Sequence, residues 1–225
     1  MVLKPMEALS SVPLFAELDD NVLDVVKHAA TLQHHAAGRT VFLQGDPCVG
    51  LYIVQKGWLK GVITSPAGRE QIICLLGPGD VFNEIGLLTD GKNRVTVQAL
   101  EESALWVIER ETMLRLMDEY PRLCRAITRN LAERVLHLMK LIEDLSLRTV
   151  KSRMARILLE NAVEGVINRQ RWMTQTEMAA RLGTVLDVAN RTLNSLEDEG
   201  PISVKRYEIR ILQRKRLEEL AVWEE

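Results

Sequence analysis

The sequence predicts an α+β fold, with a β barrel or roll first, a long helix next, and a helix-turn-helix with a wing last. Short apolar runs between turn residues fill the first half of the chain. Heptad-like spacing of apolar residues follows, and two closely spaced helix-capping patterns occur near the end. The predicted domains are residues 1–110 for the roll, 111–147 for the long helix region and 148–225 for the helix-turn-helix.

The composition is that of a folded protein with a sizeable core. Of its 225 residues, 47% are hydrophobic and 27% are charged. The sequence contains no apolar run of about 18 residues, the length of a membrane span, and no secretory signal pattern opens the chain. We therefore expect a cytoplasmic protein without a membrane partner.

Charge is divided unevenly along the chain. Residues 1–147 carry 15 Lys and Arg against 19 Asp and Glu, whereas residues 148–225 carry 14 against 12. The last third is therefore basic although the whole chain has a net charge of -2. This asymmetry is compatible with a nucleic-acid partner for the last third.

The segment from Thr40 to about Ile108 predicts short strands joined by tight turns. Runs such as "GLYIVQKG" and "EQIICLLG" are separated by Gly, Pro and Asp. A compact barrel or roll fits this pattern best, because closure of the sheet removes exposed strand edges.

From Arg110 to about Leu145 the pattern becomes helical. Apolar residues recur there at alternating spacings of four and three, at Leu131, Val135, Leu138, Ile142 and Leu145. Such spacing is typical of the a/d seam of a coiled coil. We therefore expect a parallel homodimer, and the alternative is a helix that packs this stripe on its own roll.

The stretch "TQTEMAARLGTVLDVANRTLNSL" predicts two short helices that begin close together. The T-x-x-(E/D) capping box occurs at Thr174/Glu177 and again at Thr184/Asp187. Gly183 is expected to end the first helix in the left-handed conformation. The predicted inner faces consist of Met178, Ala179 and Leu182 in the first helix and of Val185, Val188, Ala189, Leu193 and Leu196 in the second.

The flanking segments complete a winged helix-turn-helix. An amphipathic helix, "LRTVKSRMARILLENA", and a polar loop, "VEGVINRQRW", precede the two helices. After them, "ISVKRYEIRIL" alternates apolar and polar residues, which predicts a two-stranded wing. An ordinary helical hairpin is the alternative.

The residues do not predict an enzyme. No nucleophile-base pair, phosphate loop or metal cluster can be assembled from the sequence. The three cysteines, Cys48, Cys74 and Cys124, lack metal-ligand spacing and are interpreted as small buried hydrophobes.

Four motifs together resemble the cyclic-AMP receptor protein and fumarate-nitrate regulator family of bacterial transcription factors. They read "FLQGDPCVGLYIVQKGWLKG", "GREQIICLLGPGDVFNEIGLL", "NLAERV" and "MTQTEMAARLG...RTLNSLEDEG", within a resemblance that spans nearly everything from Leu14 to Leu220. The resemblance implies a jelly-roll sensor like a cyclic-nucleotide-binding domain, a long dimerisation helix and a winged helix-turn-helix. It also implies a homodimeric transcription regulator, an activator that works with RNA polymerase, whose affinity for DNA depends on a sensed signal.

The resemblance further implies an effector site in the roll. In this family a short helix N-terminus, a glutamate and an arginine hold the cyclic nucleotide, the glutamate at the ribose and the arginine at the phosphate. The corresponding effector-binding candidates are Asn83, Glu84, Ile85, Gly86, Arg94, Val95, Leu138 and Met139.

Four of these residues depart from the family pattern. Asn83 replaces a glycine, Val95 replaces a small hydroxyl residue, and Leu138 and Met139 stand where Thr and Ser contact adenine. Each lost hydrogen bond removes about 1 kcal/mol. We therefore expect an effector other than cyclic AMP, with a cyclic-AMP-responsive regulator as the alternative. A further alternative is that Glu84 and Arg94 simply pair with each other across the roll.

A haem-based gas sensor is another alternative. The axial ligand would come from His28, His34, His35 or His137, and His137, on the long helix, is the best candidate among them. The adjacent His34 and His35 are interpreted as part of a surface turn. Apart from haem, the sequence leaves the cofactor unknown, and a small-molecule effector is compatible with it.

The resemblance places base recognition on the second helix of the helix-turn-helix. Arg191 is suited to a bidentate contact with guanine, Asp187 to cytosine and Leu186 to a thymine methyl group. Phosphate contacts are expected from the start of the first helix and from the wing. The DNA-binding candidates are Thr174, Gln175, Thr176, Thr184, Leu186, Asp187, Asn190, Arg191, Lys205 and Arg206. The expected partner is double-stranded DNA with an inverted-repeat site.

Overall fold

The structure is a computed structural model that describes residues 12–16, 18–168 and 173–222. Residues 1–11, where no secretory signal was predicted, and residues 223–225 are the outer ends of the predicted domains, and both lie outside this range. Residues 169–172 of the predicted polar loop also lie outside it. Two compact units are present. One runs to Ile63 and resumes from Ile73 to His137, and the other consists of Thr64–Ile72 and of Leu138 onward. Among the described helices, none is long and apolar enough to cross a membrane.

The first part of the chain is mainly strands, with helices before and after them. The strands are β1 Ala30–His35, β2 Thr40–Phe42, β3 Gly50–Lys56, β4 Leu59–Thr64, β5 Glu70–Leu76, β6 Val81–Phe82, β7 Thr96–Ala99 and β8 Ser103–Glu109. The helices are α1 Asp20–Ala29, α2 Glu84–Leu88, α3 Arg110–Glu119 and α4 Pro121–Leu147.

The strands form two four-stranded sheets, which confirms the predicted roll. Their orders are β1-β8-β3-β6 and β2-β7-β4-β5. Strand β1 was not predicted, and it includes His34 and His35, which pair with Ala104 and Ser103 of β8. The surface-turn interpretation of the two histidines is therefore wrong, because pairing with a strand about 70 residues away in sequence is a tertiary contact.

Alternation along the central strands divides the apolar residues of the first unit between two cores. In β3, Leu51 and Ile53 join the cluster formed with the helices, whereas Tyr52 and Val54 join the cluster between the sheets. Phe42, Tyr52 and Phe82 fill the second cluster with rings, and the Tyr52 and Phe82 rings stack with centroids 5.2 Å apart. The inside of the roll is therefore packed with aromatic side chains.

The helical segment after the roll is two helices rather than one. Tyr120 separates α3 from α4 with an extended backbone, at φ -123° and ψ 90°. Proline disfavours the helical conformation in the residue before it, and it is well accommodated as the first residue of a helix. Pro121 therefore ends one helix and opens the next, a signal that the apolar spacing alone did not reveal.

The C-terminal part has the predicted helix-turn-helix with a larger wing. Its elements are α5 Val150–Asn161, β9 Val166–Asn168, α6 Gln175–Leu182, α7 Leu186–Asp198, β10 Ile202–Lys205, β11 Glu208–Ile211 and α8 Arg214–Ala221. The wing sheet has the order β10-β11-β9, because part of the predicted polar loop pairs with β11. Buried residues from α5, α6, α7 and the wing form one core, among them Leu158, Leu182, Leu196 and Ile209.

One of the two predicted capping boxes is present. Thr174 caps α6, and its Oγ1 accepts a hydrogen bond from the backbone N–H of Glu177 at 3.2 Å. The second box is wrong, because α7 begins after Val185 and has no side-chain cap. Thr184 instead belongs to the turn, where its N–H donates to Ala179 O at 3.0 Å.

The turn between α6 and α7 is confirmed as a glycine turn. Gly183 ends α6 with φ 68°, in the left-handed region that favours glycine. Of the predicted inner face of α7, Ala189, Leu193 and Leu196 are buried, whereas Val185 is exposed because it precedes the first turn of the helix.

Candidate functional site

Asn83 has the backbone conformation for which glycine is usually required. Its φ is 77°, and its side-chain amide donates to Gly50 O at 3.1 Å and to Asn93 Oδ1 at 3.0 Å. Asparagine is one of the few residues that tolerate the left-handed conformation. The substitution of glycine by Asn83 is therefore compatible with the same backbone, with the side chain bonded to neighbouring segments.

The short helix α2 is packed closely at Gly86. A Cβ atom at this position would lie 2.9 Å from Asn83 Oδ1 and 3.0 Å from Lys92 O, so glycine is needed for the approach. Its neighbour Ile85 is exposed. Of these two effector candidates, Gly86 is therefore packed inside the roll, and Ile85 lies at its surface.

Glu84 is a buried carboxylate whose nearest partners come from α4. The residue is 3% exposed, and the side-chain amide of Asn130 donates a hydrogen bond to its Oε1. Nη2 of Arg134 lies 4.0 Å from the same oxygen and donates to Val81 O at 2.9 Å. Burial raises the pKa of the Glu84 carboxyl above its ordinary value, against the opposing effects of its own backbone N–H, the charge of Arg134 and the Asn130 hydrogen bond.

Arg94 lies at the surface with its guanidinium engaged. Its Nη2 is 2.7 Å from Asp90 Oδ1 and 3.2 Å from Thr89 Oγ1. Asp90 is exposed. Desolvation acts to raise the pKa of its carboxyl, but the charge and hydrogen bond of Arg94, together with Lys92, lower this pKa below its ordinary value. The predicted alternative in which Glu84 and Arg94 pair is wrong, because the two side chains have different partners.

The remaining effector candidates offer apolar groups. Val95 packs against the aromatic cluster between the sheets. Leu138 is half-buried and Met139 is 60% exposed, in the part of α4 that belongs to the second unit. Their side chains contain no group that forms a strong hydrogen bond to a base.

The histidine and cysteine candidates do not assemble a metal site among the described residues. His137 is exposed, and its Nε2 lies 3.3 Å from Ile73 O. No group of three or more His, Cys, Asp or Glu side chains in the described part of the chain could hold a metal ion. Cys48 is buried, and Cys74 and Cys124 are partly buried, as expected for small apolar residues.

Helix α7 presents a mixed surface for DNA. Leu186, Asp187 and Arg191 are exposed, whereas Asn190 is half-buried. Nη2 of Arg191 lies 3.0 Å from Asp187 Oδ2, one helical turn away. The pair is almost fully exposed, so its contribution to stability is small and Arg191 is free to exchange Asp187 for another acceptor.

The predicted phosphate contacts lie at two exposed positions of the second unit. Thr174, Gln175 and Thr176 form the exposed start of α6. Lys205 and Arg206 lie at the tip of the wing. Thr184, by contrast, is half-buried in the turn.

Sequence reasoning missed an aromatic residue at the wing tip. Tyr207 is 61% exposed, and the Cζ atom of Arg206 lies 5.1 Å from the centroid of its ring. A cation over a tyrosine ring is a favourable arrangement. An exposed aromatic residue next to two basic residues in a predicted turn was the available signal.

Asn130 and Arg134 were missed as partners of Glu84. Both lie in the "NLAERV" motif, and neither was among the predicted effector-binding residues. Their spacing of four places them on one face of α4. Sequence spacing predicts that they are neighbours on a helix, but not which carboxylate they contact.

An exposed apolar stripe on α4 shares two of its three positions with the predicted seam. Val135, Met139 and Ile142 are 54%, 60% and 64% exposed in the single chain. Leu131, Leu138 and Leu145 of the predicted seam are partly buried within the chain. Val135 and Ile142 belong to the predicted seam, and Met139 stands one position after Leu138, so the exposed residues keep the predicted spacings of four and three.

Comparisons with known proteins match both halves of the chain. Residues 32–120 match a cyclic nucleotide-binding domain, and residues 152–220 match a Crp-like helix-turn-helix domain. A cyclic AMP receptor protein from Thermus thermophilus is 28% identical over 209 residues, which are 93% of this chain and 96% of that protein.

Solved structures agree with the fold. A CRP/FNR-family transcriptional regulator from Thermus thermophilus has a TM-score of 0.69 at 25% identity, covering 85% of this chain and 98% of that one. FixK2 from Bradyrhizobium japonicum has a TM-score of 0.75 at 23% identity, covering 86% of this chain and 98% of that one.

The two charged effector candidates of the roll have partners within the chain. Such a ligand needs an acceptor for a ribose hydroxyl and a cation for its phosphate. The Glu84 carboxylate is bonded to Asn130, and the Arg94 guanidinium is bonded to Asp90. Both candidate groups therefore already have partners within the chain.

Proposed function

This chain belongs to the CRP/FNR family of transcription regulators, and from its side chains we propose a homodimeric DNA-binding regulator whose sensed signal is not cyclic AMP. Members of this family are DNA-binding regulators and not enzymes. The observation that carries the proposal is the exposed face of α7, with Leu186, Asp187 and Arg191 after the glycine turn.

The DNA side of the proposal rests on the chemistry of α7 and the wing. Arg191 supplies two parallel N–H donors for guanine O6 and N7 in the major groove. Lys205 and Arg206 supply charges for phosphates, which position the protein without reading sequence. We expect Asp187 to hold Arg191 before binding and to accept from cytosine once Arg191 has turned to guanine.

The dimer side rests on the stripe of Val135, Met139 and Ile142. Exposed apolar side chains at heptad spacing on a 27-residue helix are typical of a two-stranded coiled coil. A parallel pair would place two α7 helices about 34 Å apart and select an inverted-repeat site.

Two observations support an effector other than cyclic AMP. Glu84 and Arg94 already have partners inside the chain. Leu138 and Met139 offer a nucleotide base only apolar contacts. We therefore propose an effector of different chemistry from cyclic AMP. The similarity to a protein named cyclic AMP receptor protein favours the second candidate, a cyclic-AMP-responsive regulator. Haem would require a ligand such as His137, whose ring nitrogen is already 3.3 Å from a backbone carbonyl oxygen.

Two further parts of the proposal follow from the family. We propose that the protein acts with RNA polymerase as an activator. Because its partner is DNA, we place its action in the cytoplasm of a bacterial cell.

The test is selection of duplexes from a random library by the full-length protein, followed by fluorescence anisotropy at several salt concentrations. We expect an inverted repeat to be enriched and its affinity to fall steeply with salt, as counterion release requires. Enrichment of no inverted repeat, or an affinity that salt leaves unchanged, would contradict the proposal. A scrambled duplex of the same length and composition is the control.

A further inference from the structure

The contact between Glu84 and Asn130 joins the short helix of the roll to the long helix α4. Both residues belong to the first compact unit, as do Arg134 and Val81. Glu84 is nearly inaccessible, so its carboxylate is not satisfied by bulk water. Its hydrogen-bond capacity is therefore supplied from within the chain.

We propose that Asn130 is a specificity-determining residue that excludes ribose from the roll by occupying the Glu84 carboxylate. The inference rests on the proposed function, in which cyclic AMP is not the effector. A ribose hydroxyl that approached Glu84 would compete with the Asn130 amide, whose N–H donates to Oε1 of this carboxylate.

Asn130 and a ribose hydroxyl are equivalent in charge and in hydrogen-bond role. Both are neutral donors, so the exchange of one for the other gains little for the ligand while the site must still reorganise. The carboxylate is buried, and a hydrogen bond to a buried charged group is among the stronger ones. An internal donor at this position therefore lowers the affinity for any ligand that depends on the ribose hydroxyl.

Arg134 has a different role from Asn130. Its guanidinium is anchored to Val81 O at 2.9 Å and lies 4.0 Å from Glu84, beyond hydrogen-bond distance. It supplies the countercharge that a buried carboxylate needs, and its removal would leave that charge unpaired. Asn130 is neutral and can be truncated without this penalty.

Arg94 does not impose the same exclusion. Its pair with Asp90 is exposed at the surface, with side chains 46% and 56% accessible. Exposed ion pairs contribute little, so an incoming phosphate can replace Asp90 at low cost. The internal partner of Glu84 is therefore the stronger of the two obstacles.

The experiment measures binding of cyclic AMP and of 2′-deoxy cyclic AMP by calorimetry to the full-length chain. The variants are the parent, Asn130→Ala and the control Arg125→Ala, an exposed residue on the same helix. We expect Asn130→Ala to bind cyclic AMP at least about tenfold more tightly than the parent. The gain should be absent with the 2′-deoxy ligand and absent in Arg125→Ala.

Several results would overturn the inference. One is an affinity of Asn130→Ala for cyclic AMP that is equal to or weaker than that of the parent. Another is the absence of cyclic AMP binding by both proteins up to about 1 mM. The third is an equal gain in affinity for 2′-deoxy cyclic AMP. Asn130→Ser, which shortens the side chain, replaces the alanine variant if circular dichroism shows that the latter is unfolded. Sub-micromolar binding of cyclic AMP by the parent contradicts the effector part of the proposed function, whereas an unchanged affinity in the variant contradicts only this inference.

Discussion

Arg94 and Asp90 form an ion pair at the surface of the roll, with Arg94 Nη2 2.7 Å from Asp90 Oδ1. The pair turns a guanidinium that could hold a phosphate toward a carboxylate of its own loop. Such an exposed pair contributes little to stability, so it weakens phosphate binding without forbidding it. The barrier to a nucleotide therefore depends more on the buried Glu84.

Cyclic AMP should bind the parent protein weakly. We expect a dissociation constant above about 100 μM, which corresponds to about -5.5 kcal/mol. The reason is that Glu84 and Arg94 have internal partners while Leu138 and Met139 offer no hydrogen bond. Calorimetry is the measurement, and a sub-micromolar constant that is lost in Arg94→Ala would show that the residues bind the nucleotide after all.

Replacement of Ile142 by Glu should separate the dimer without unfolding the chain. Ile142 is 64% exposed in the single chain, so the charge is solvated in the monomer but buried against its copy in a dimer. The cost is several kcal/mol per buried uncompensated charge. Sedimentation at micromolar concentration should show a monomer. Arg125→Glu, elsewhere on the same helix, is the control, and a persistent Ile142→Glu dimer would place the interface outside this stripe.

Arg191→Ala should reduce sequence discrimination more than affinity for DNA in general. Its guanidinium is exposed and pairs with the equally exposed Asp187, so it can turn to a guanine. We expect discrimination at one guanine of each half-site to fall by about 1–3 kcal/mol. Lys205→Ala should instead weaken all sequences alike and reduce the salt slope by about 1. Library selection with each variant is the measurement, and recovery of the parental palindrome by Arg191→Ala would exclude Arg191 as a reader.

Thr174→Ala should destabilise the C-terminal unit, and Thr184→Ala should not. Thr174 caps α6 through the N–H of Glu177, whereas Thr184 lies in the turn and caps no helix. Loss of a threonine cap costs about 1 kcal/mol, and substitutions without such a role stay within about 0.5 kcal/mol. Urea unfolding followed by circular dichroism measures the difference. Equal losses in the two variants would mean that the hydroxyl of Thr174 does not stabilise the helix.

Stability should depend on pH through Glu84. Burial raises the pKa of its carboxyl in the folded state, so the folded chain holds this proton at pH values where the unfolded chain has released it. The contribution of Glu84 to stability is therefore fully present below the ordinary glutamate pKa and is lost as the pH rises through the folded-state pKa. The free energy of unfolding of the parent, minus that of Glu84→Gln, should fall as the pH rises from about 4 to 7. A difference that rises over this range would mean that Arg134 and Asn130 outweigh the desolvation.

Local patterns in the sequence were enough to predict the elements whose causes are local. The Thr174 box, Gly183 and the alternation of "ISVKRYEIRIL" predicted α6, its end and the wing hairpin, because caps, left-handed glycines and strand alternation act within a few residues. The apolar spacing also predicted helix on both sides of Pro121, but it did not predict the break at Tyr120.

The tertiary structure decided which side chains meet. Strand β1 exists because it pairs with β8, and β9 exists because it pairs with β11. Glu84 meets Asn130 and Arg134, 46 and 50 positions away, rather than Arg94, which is ten positions away. Sequence spacing specifies a face of one helix or strand, but partners between elements depend on how several buried faces pack together. Local sequence patterns therefore indicate the kinds of element and the candidate residues, whereas packing determines that the carboxylate of Glu84 faces α4 of the same chain.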